Sequence, residues 1–296
     1  MQVTAVITTY KRSVAMVERA LLSVINQTYR PIEVIVVDDS PMDYAERGAV
    51  GDMVKKYADA GVIYVETEGN LGACAARNIG LSMAKGEYIA FLDDDDEWLP
   101  EKIEKQTALF ISDDIALVYC GSYTVYDDSG KSIERKMKRH KGFVHDELML
   151  KNFIESTSFP LIRVSALREI GGFDNEMPAC QDLDVWIRLT ERYAVDYVDE
   201  PLVRYHVHSG DRITKNHQKK INGIKRLMMK NAEYLESHRK AMARFNMKLV
   251  MPYILNGDMR EAFVSWWSAV ENNIFDFKSN FRGFVQIIKG ALGAYK

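Results

Sequence analysis

No run of about 18 consecutive apolar residues occurs in this 296-residue chain, so the sequence offers no candidate membrane-spanning helix. The opening residues, Met1-Gln2-Val3-Thr4-Ala5, lack the basic segment and following apolar segment of a secretory leader. Cysteine is scarce. Cys74, Cys120 and Cys180 are odd in number and far apart, with no C-x-x-C pair, which excludes a disulfide framework and suggests a reducing compartment. A soluble, cytoplasmic protein is therefore expected. Charge of one sign is also missing: 39 basic and 42 acidic residues leave a net charge of −3. No global field recruits nucleic acid, and any phosphate has to be gripped locally. The chain has neither the G-x-G-x-x-G spacing of a dinucleotide fold nor the Gly-Lys-Ser/Thr of a P-loop, and it shows no internal repeat or low-complexity linker.

Apolar residues make up 47% of the chain, enough for one large core and an appended subdomain. Residues 3–8, 32–37, 62–65 and 88–92 are short apolar, β-branched runs, and each is followed by a helical pattern such as Val17, Ala20, Leu21, Val24 and Ile25. Buried strands alternating with helices predict an α/β fold with a doubly wound, mostly parallel, Rossmann-like sheet over the first 100 to 120 residues. Residues 115–126 read as a further strand. From about residue 217 the pattern is helical, with a second helical pair flanking the turn Asn256-Gly257-Asp258.

The run Asp93-Asp94-Asp95-Asp96 follows the fourth strand directly. Strand ends in an open α/β sheet face the crevice where ligands bind, and oxygen-only ligands suit Mg²⁺ or Mn²⁺ carrying a polyphosphate. The alternative is an acidic turn ahead of Trp98-Leu99-Pro100-Glu101. Asp39 ends the second strand and can accept the N–H of a nucleotide base; its other reading is turn chemistry before Ser40-Pro41, a task open to Asp38 as well. Gly69-Asn70-Leu71-Gly72 opens a helix bearing Arg77, where a phosphate or base can be met, or where Arg77 forms a plain salt bridge. Asp182 and Asp184 are both candidate proton acceptors. Asp184 has Arg188 four residues on as an ordinary helix partner, whereas the competing reading of Asp182 is an N-cap. Arg204, His206 and His208 alternate and so share one side of an extended segment, forming a plausible rim for a diphosphate–metal complex. Trp98 and Trp186 fit either a sugar or the core, with core preferred for Trp186.

The ordered motifs VITTYKR, ALLSVINQTY, IEVIVVDDS, GNLGACAARNIG, KGEYIAFLDDDDEWLPEKIEKQ, GGFD, QDLDVWIRL and VRYHVHSGDRIT resemble the inverting family 2 glycosyltransferases of GT-A fold. The resemblance implies a nucleotide-sugar-binding and catalytic domain at 1–214. A helical C-terminal region at 215–296 would then contact acceptor, membrane surface or another subunit. It further implies donor contacts by Thr8, Tyr10, Asp39, Arg77, Asp93, Asp94 and Arg204, a Mn²⁺ or Mg²⁺ ion on Asp95 and His208, and Asp182 as the base. The register within Asp93 to Asp96 stays open, because Asp fills every position, and Gln181 replaces the first acid of the usual pair. The implied reaction moves a hexose from a nucleotide diphosphate sugar, UDP-linked, to a saccharide or lipid-linked saccharide. The implied setting is surface polysaccharide or glycan biosynthesis. Peripheral contact with the inner membrane face, through the basic, aromatic C-terminal segment, and a homodimer are further expectations. A sugar-phosphate nucleotidyltransferase needs a glycine-rich loop after the first strand, which VITTYKRSV does not supply. A haloacid-dehalogenase-type phosphoryl transfer needs Thr or Val where Glu97 stands, and a non-catalytic saccharide-binding module has no use for both Asp95 and Asp182.

Overall fold

The computed structural model describes residues 1–207 and 216–294. Its first part alternates β1 (Val3–Thr9), α1 (Val14–Ile25), β2 (Ile32–Asp38), α2 (Arg47–Lys55), β3 (Val62–Glu66), α3 (Ala73–Met83) and β4 (Tyr88–Asp93). Next come β5 (Glu97–Trp98), α4 (Lys102–Thr107), β6 (Ile115–Tyr126), β7 (Lys131–Glu134), α5 (His145–Leu150) and β8 (Leu161–Arg163). Then follow α6 (Val164–Glu169), α7 (Gln181–Thr190) and β9 (Ala194–Val207). The remaining described elements are helices: α8 (His217–Lys230), α9 (Ala232–Ser237), α10 (Arg239–Asn256), α11 (Met259–Asn272) and α12 (Phe277–Ala291).

The strands form one sheet in the order β3-β2-β1-β4-β8-β6-β9-β5, with β7 paired to β6. Strands β1 to β4 run parallel, as their continuous apolar runs predict. Beyond β4 the sheet is mixed: β8 is antiparallel to β4 and β6, β9 runs parallel to β6, and the two-residue β5 caps β9. Strands β1 and β2 are buried along almost their whole length, and α1 turns Val17, Ala20, Leu21 and Val24 onto the sheet at helical spacing. Gly86 precedes β4 at the edge of this parallel layer. A Cβ there would lie 2.7 Å from Thr4 N, 2.8 Å from Tyr88 O and 2.9 Å from Gln2 O. All three are backbone atoms with no rotamer to yield, so Gly86→Ala is expected to destabilise the fold by about 3 kcal/mol, read as a lowered urea midpoint at unchanged m-value.

Two units divide the chain. The first holds Met1–His145, Asn152–Asn175 and the described part of Val185–Ser209, and with them the whole sheet. The second holds Asp146–Lys151, Glu176–Asp184 and the described part of Gly210–Lys296. The first described helix of this second unit's last stretch is α8, from His217, and the unit also takes in a short earlier segment that carries Asp182. Two contacts explain this. Gly223 on α8 lets that helix come so close to residue 179 that a Cβ would sit 2.6 Å from Ala179 O, and Lys230 at the end of α8 pairs with the buried carboxylate of Asp184. Within the second unit Gly257, at φ 88°, closes α10 as its left-handed C-cap, where the sequence places a turn.

Candidate active site

The carboxyl ends of β1, β2 and β4 lie side by side, and the loops leaving them carry most of the candidate residues. Thr8 stands in register with Val37 on one side and Asp93 on the other. Tyr10 is exposed, and its backbone N–H donates to Asp94 Oδ2 at 3.3 Å. Asp38 closes the turn after β2 by accepting from Ser40 N at 2.8 Å, and it also takes the hydroxyl of Tyr64. Asp39 is spent differently. Its buried carboxylate accepts from Thr67 Oγ1 at 2.6 Å, Leu71 N at 2.9 Å and Gly72 N at 2.8 Å, while its own carbonyl accepts from Asn70 N. The loop folded on it is held in left-handed backbone, with φ 95° at Gly69, 59° at Asn70 and 97° at Gly72. Three of the about four acceptor positions of this carboxylate are thereby filled.

The aspartate run leaves β4 at Asp93 and turns through Asp94 and Asp95, with Asp96 N donating to Asp93 O at 3.0 Å. Side-chain exposure is 31% for Asp93 and 18% for Asp95, against 8% for Asp94, and Asp96 is fully buried. Asp93 and Asp95 are thus the two more exposed of the four carboxylates. Asp93 accepts from Arg77 Nη2 at 2.7 Å and from Thr157 Oγ1 at 3.2 Å. Arg77, buried on α3, rests its guanidinium 5.5 Å from the Phe173 ring, and its Nε has no hydrogen-bond partner. Arg12 bridges the next two positions, Nε to Asp94 Oδ1 at 2.9 Å and Nη2 to Asp95 Oδ2 at 3.3 Å, and Arg19 donates to the Asp95 carbonyl. Sequence reasoning assigned no role to Arg12, although it lies within VITTYKR. Burial pushes the Asp94 carboxyl up to about 6, with Arg12 opposing and Asp95 reinforcing. Burial, then the charges of Asp93 and Asp95, raise Asp96 well above the ordinary carboxylate range; it accepts from His206 N through one oxygen, and the other has no partner.

This donor set fits a hard divalent cation. It is all oxygen, it draws three guanidinium groups in the protein's own structure, and its two accessible carboxylates leave further positions to water and phosphate, as Mg²⁺ or Mn²⁺ requires. Among the described residues no three His, Cys, Asp or Glu side chains close around one point. His208, the other metal ligand implied by the sequence, lies outside the described residues.

Behind the run, His206 departs from its expected place on an open rim. The ring is buried, with Nε2 2.7 Å from Glu97 Oε1 and Nδ1 2.6 Å from Asp127 Oδ1. Two carboxylate partners require both nitrogens to donate, which is the imidazolium form. Burial works against that charge, but Glu97 and Asp127 outweigh it and raise the pKa. Arg204 does stand at the surface, its side chain 52% exposed and 3.7 Å from Glu97, which Arg19 also approaches at 3.6 Å. Trp98 and Trp186 are both core residues, their ring N–H groups donating to Ser158 O and Glu155 O.

In the second unit, Asp182 occupies the first turn of α7. It is not the N-cap: that place falls to Cys180, whose carbonyl accepts from Asp184 N and whose φ is 61°. Burial, then the charge of Asp182, push the Cys180 thiol up to about 11, with Lys248 and Lys220 opposing. Lys248 is itself a buried ammonium without a hydrogen-bond partner, 4.5 Å from the Phe245 ring; burial lowers its pKa, and Cys180 and Asp182 hold it up. On the same helix, Arg188 donates to Ile170 O and Gly172 O.

The sheet order, the acidic strand end and the helical C-terminal region define a GT-A fold, and solved structures agree. The S. aureus TarS 1–349 complex with UDP-GlcNAc superposes with a TM-score of 0.62 at 14% identity, covering 92% of this chain and 91% of that one. The sequence profile of glycosyl transferase family 2 matches residues 4–171, and the chain belongs to that family. Among relatives, an uncharacterized glycosyltransferase of Methanocaldococcus jannaschii, MJ1057, is 26% identical over 245 residues, 82% of this chain and 81% of its own length. A provisionally assigned teichuronic acid biosynthesis glycosyltransferase of Bacillus subtilis, TuaG, is 31% identical over 195 residues, 64% of this chain and 73% of its own. The chain spans only 30–34% of the length of three longer rickettsial relatives.

Proposed function

We propose that this glycosyltransferase moves a hexose from a UDP-linked sugar to a saccharide hydroxyl, free or lipid-linked, with inversion at the anomeric carbon, in the assembly of a surface polysaccharide or glycan. The observation that carries this reading is the convergence, at three adjacent strand ends, of a carboxylate-anchored loop, a buried guanidinium and an accessible pair of aspartates. The UDP-GlcNAc complex of TarS supports the choice of nucleotide, and the assignment of TuaG supports the setting.

In this reading Thr8, Tyr10, Asp39 and Arg77 take the nucleoside, Asp39 through its remaining acceptor direction, while Asp93 and Asp94 order the donor and Arg204 meets the diphosphate from the surface. Asp95, with His208, would hold Mn²⁺ or Mg²⁺, which when bound neutralises charge on the departing diphosphate. Asp182 takes the proton of the acceptor hydroxyl as that oxygen bonds to the anomeric carbon and the bond to the diphosphate breaks. One displacement suffices, so no sugar is attached to the enzyme. A thermal-shift panel of UDP-, GDP-, CDP- and dTDP-sugars with and without Mn²⁺ tests the reading, since a ligand selective for the folded state raises the midpoint with occupancy. A UDP-sugar shift enhanced by Mn²⁺ is expected. Equal response to all four nucleotides, or to none, overturns it.

A further inference from the structure

Helix α12 is seated the wrong way round for a helix that ends its contacts at this protein. Its packed side is glycine: a Cβ at Gly283 would lie 2.6 Å from Trp266 Cδ1, and one at Gly290 would lie 2.6 Å from Ile254 Cγ2. These close approaches let α12 lie flat on α10 and α11, with Val285 and Ile287 half-buried. Five further apolar side chains are largely exposed. Phe277 is 71% exposed, Phe281 69%, Phe284 42%, Ile288 42% and Leu292, just past the helix, 80%. At about 100° per residue these five positions fall within an arc of about 80°, nearly opposite the glycines. An ordinary surface helix turns its apolar stripe inward and its polar face to water.

The stripe continues onto α11. Trp266 sits 5.5 Å from both Phe284 and Phe263, and Phe263 and Trp267 are themselves about half exposed. A contiguous exposed patch of this kind marks a contact surface. Charge then selects the partner. After Asp276 the sequence contains no acidic residue, whereas Lys278, Arg282 and Lys289 line the flank of the same stripe. A second copy docked on α12 would bring these cations together, while an anionic lipid surface takes the aromatics into its headgroup boundary and the cations onto its phosphates; Glu271, at the α11 end, accepts from Trp267 Nε1 at 2.6 Å.

We propose that α12, continued by Phe263 and Trp267 of α11, is a membrane-surface anchor that lies in the interface of an anionic bilayer. The assignment stands apart from the donor chemistry.

Flotation of the full chain with vesicles tests it, comparing pure phosphatidylcholine with the same lipid carrying about 30% phosphatidylglycerol. Binding to the anionic vesicles is expected, and it should weaken as salt is raised. The double substitution Phe277→Glu with Phe281→Glu should reduce bound protein at least tenfold. The pair Lys278→Glu with Arg282→Glu should remove the preference for anionic lipid. All four residues are exposed, so both variants should keep the parent's melting midpoint, and the second serves if the first fails to fold. Three results overturn the proposal: no binding of the parent chain to either vesicle, undiminished binding by both variants, or a concentration-dependent dimer in lipid-free gel filtration that the same substitutions dissociate.

Discussion

Asp182→Asn is expected to cut sugar transfer by about 10²–10⁴-fold, the usual range for removing a positioned general base, while the UDP-sugar thermal shift stays as in the parent. The substitution keeps the shape of the side chain and removes its ability to accept a proton. It also removes one negative charge from the first turn of α7 and from beside the buried Lys248 ammonium, so transfer is compared well below the variant's own melting midpoint. Chromatographic measurement of acceptor glycosylation, run beside the melting curve, separates loss of activity from loss of fold. A variant that transfers sugar within a few-fold of the parent rate assigns the proton to another group.

Asp95→Ala is expected to act on the other half of the reaction. It should lower transfer by about 10³-fold and abolish the Mn²⁺-dependent part of the donor's thermal shift, since the charge on the departing diphosphate then goes uncompensated. The fold should tolerate it to within about 1 kcal/mol: Asp95 is partly exposed, and Arg12 keeps its 2.9 Å bond to Asp94. Retention of the full Mn²⁺ response in this variant would move the ion to Asp93. Different signatures for Asp95→Ala and Asp182→Asn, one lost in ion response and the other in turnover alone, would show two separate chemical tasks.

Much of this architecture was legible in residue order. The four apolar runs became β1 to β4 because a parallel strand covered on both faces must be apolar throughout, and strand 115–126 and the C-terminal helices followed equally simple periodicities. The acidic strand ends were legible too. What escaped was whatever depends on long-range pairing. The three-residue β8 joins β4 to β6 through neighbours that sequence spacing does not reveal. His206 reads as a surface histidine on alternation alone; its burial comes from Glu97 and Asp127, 109 and 79 residues away. Lys102 gives no hint that it is wholly buried 4.2 Å from the Trp98 ring, hydrogen-bonded to Gln106, with burial lowering its pKa to about 8. The different burial of the four aspartates escaped as well, because four identical letters carry no phase and the turn after β4 decides which of them face outward.

Asp39 couples two properties that are usually tuned apart. The oxygens proposed to read the base also hold Leu71, Gly72 and Thr67 in place, so any change of base preference made at this position alters the pocket wall together with its selectivity. An amide at position 39 would turn a donor toward one of two backbone N–H groups, and the loop would have to reopen before a different nucleotide could be tried. Re-engineering donor choice in this scaffold should therefore begin at the neighbours, Thr8 or Tyr10, and leave the anchoring carboxylate in place.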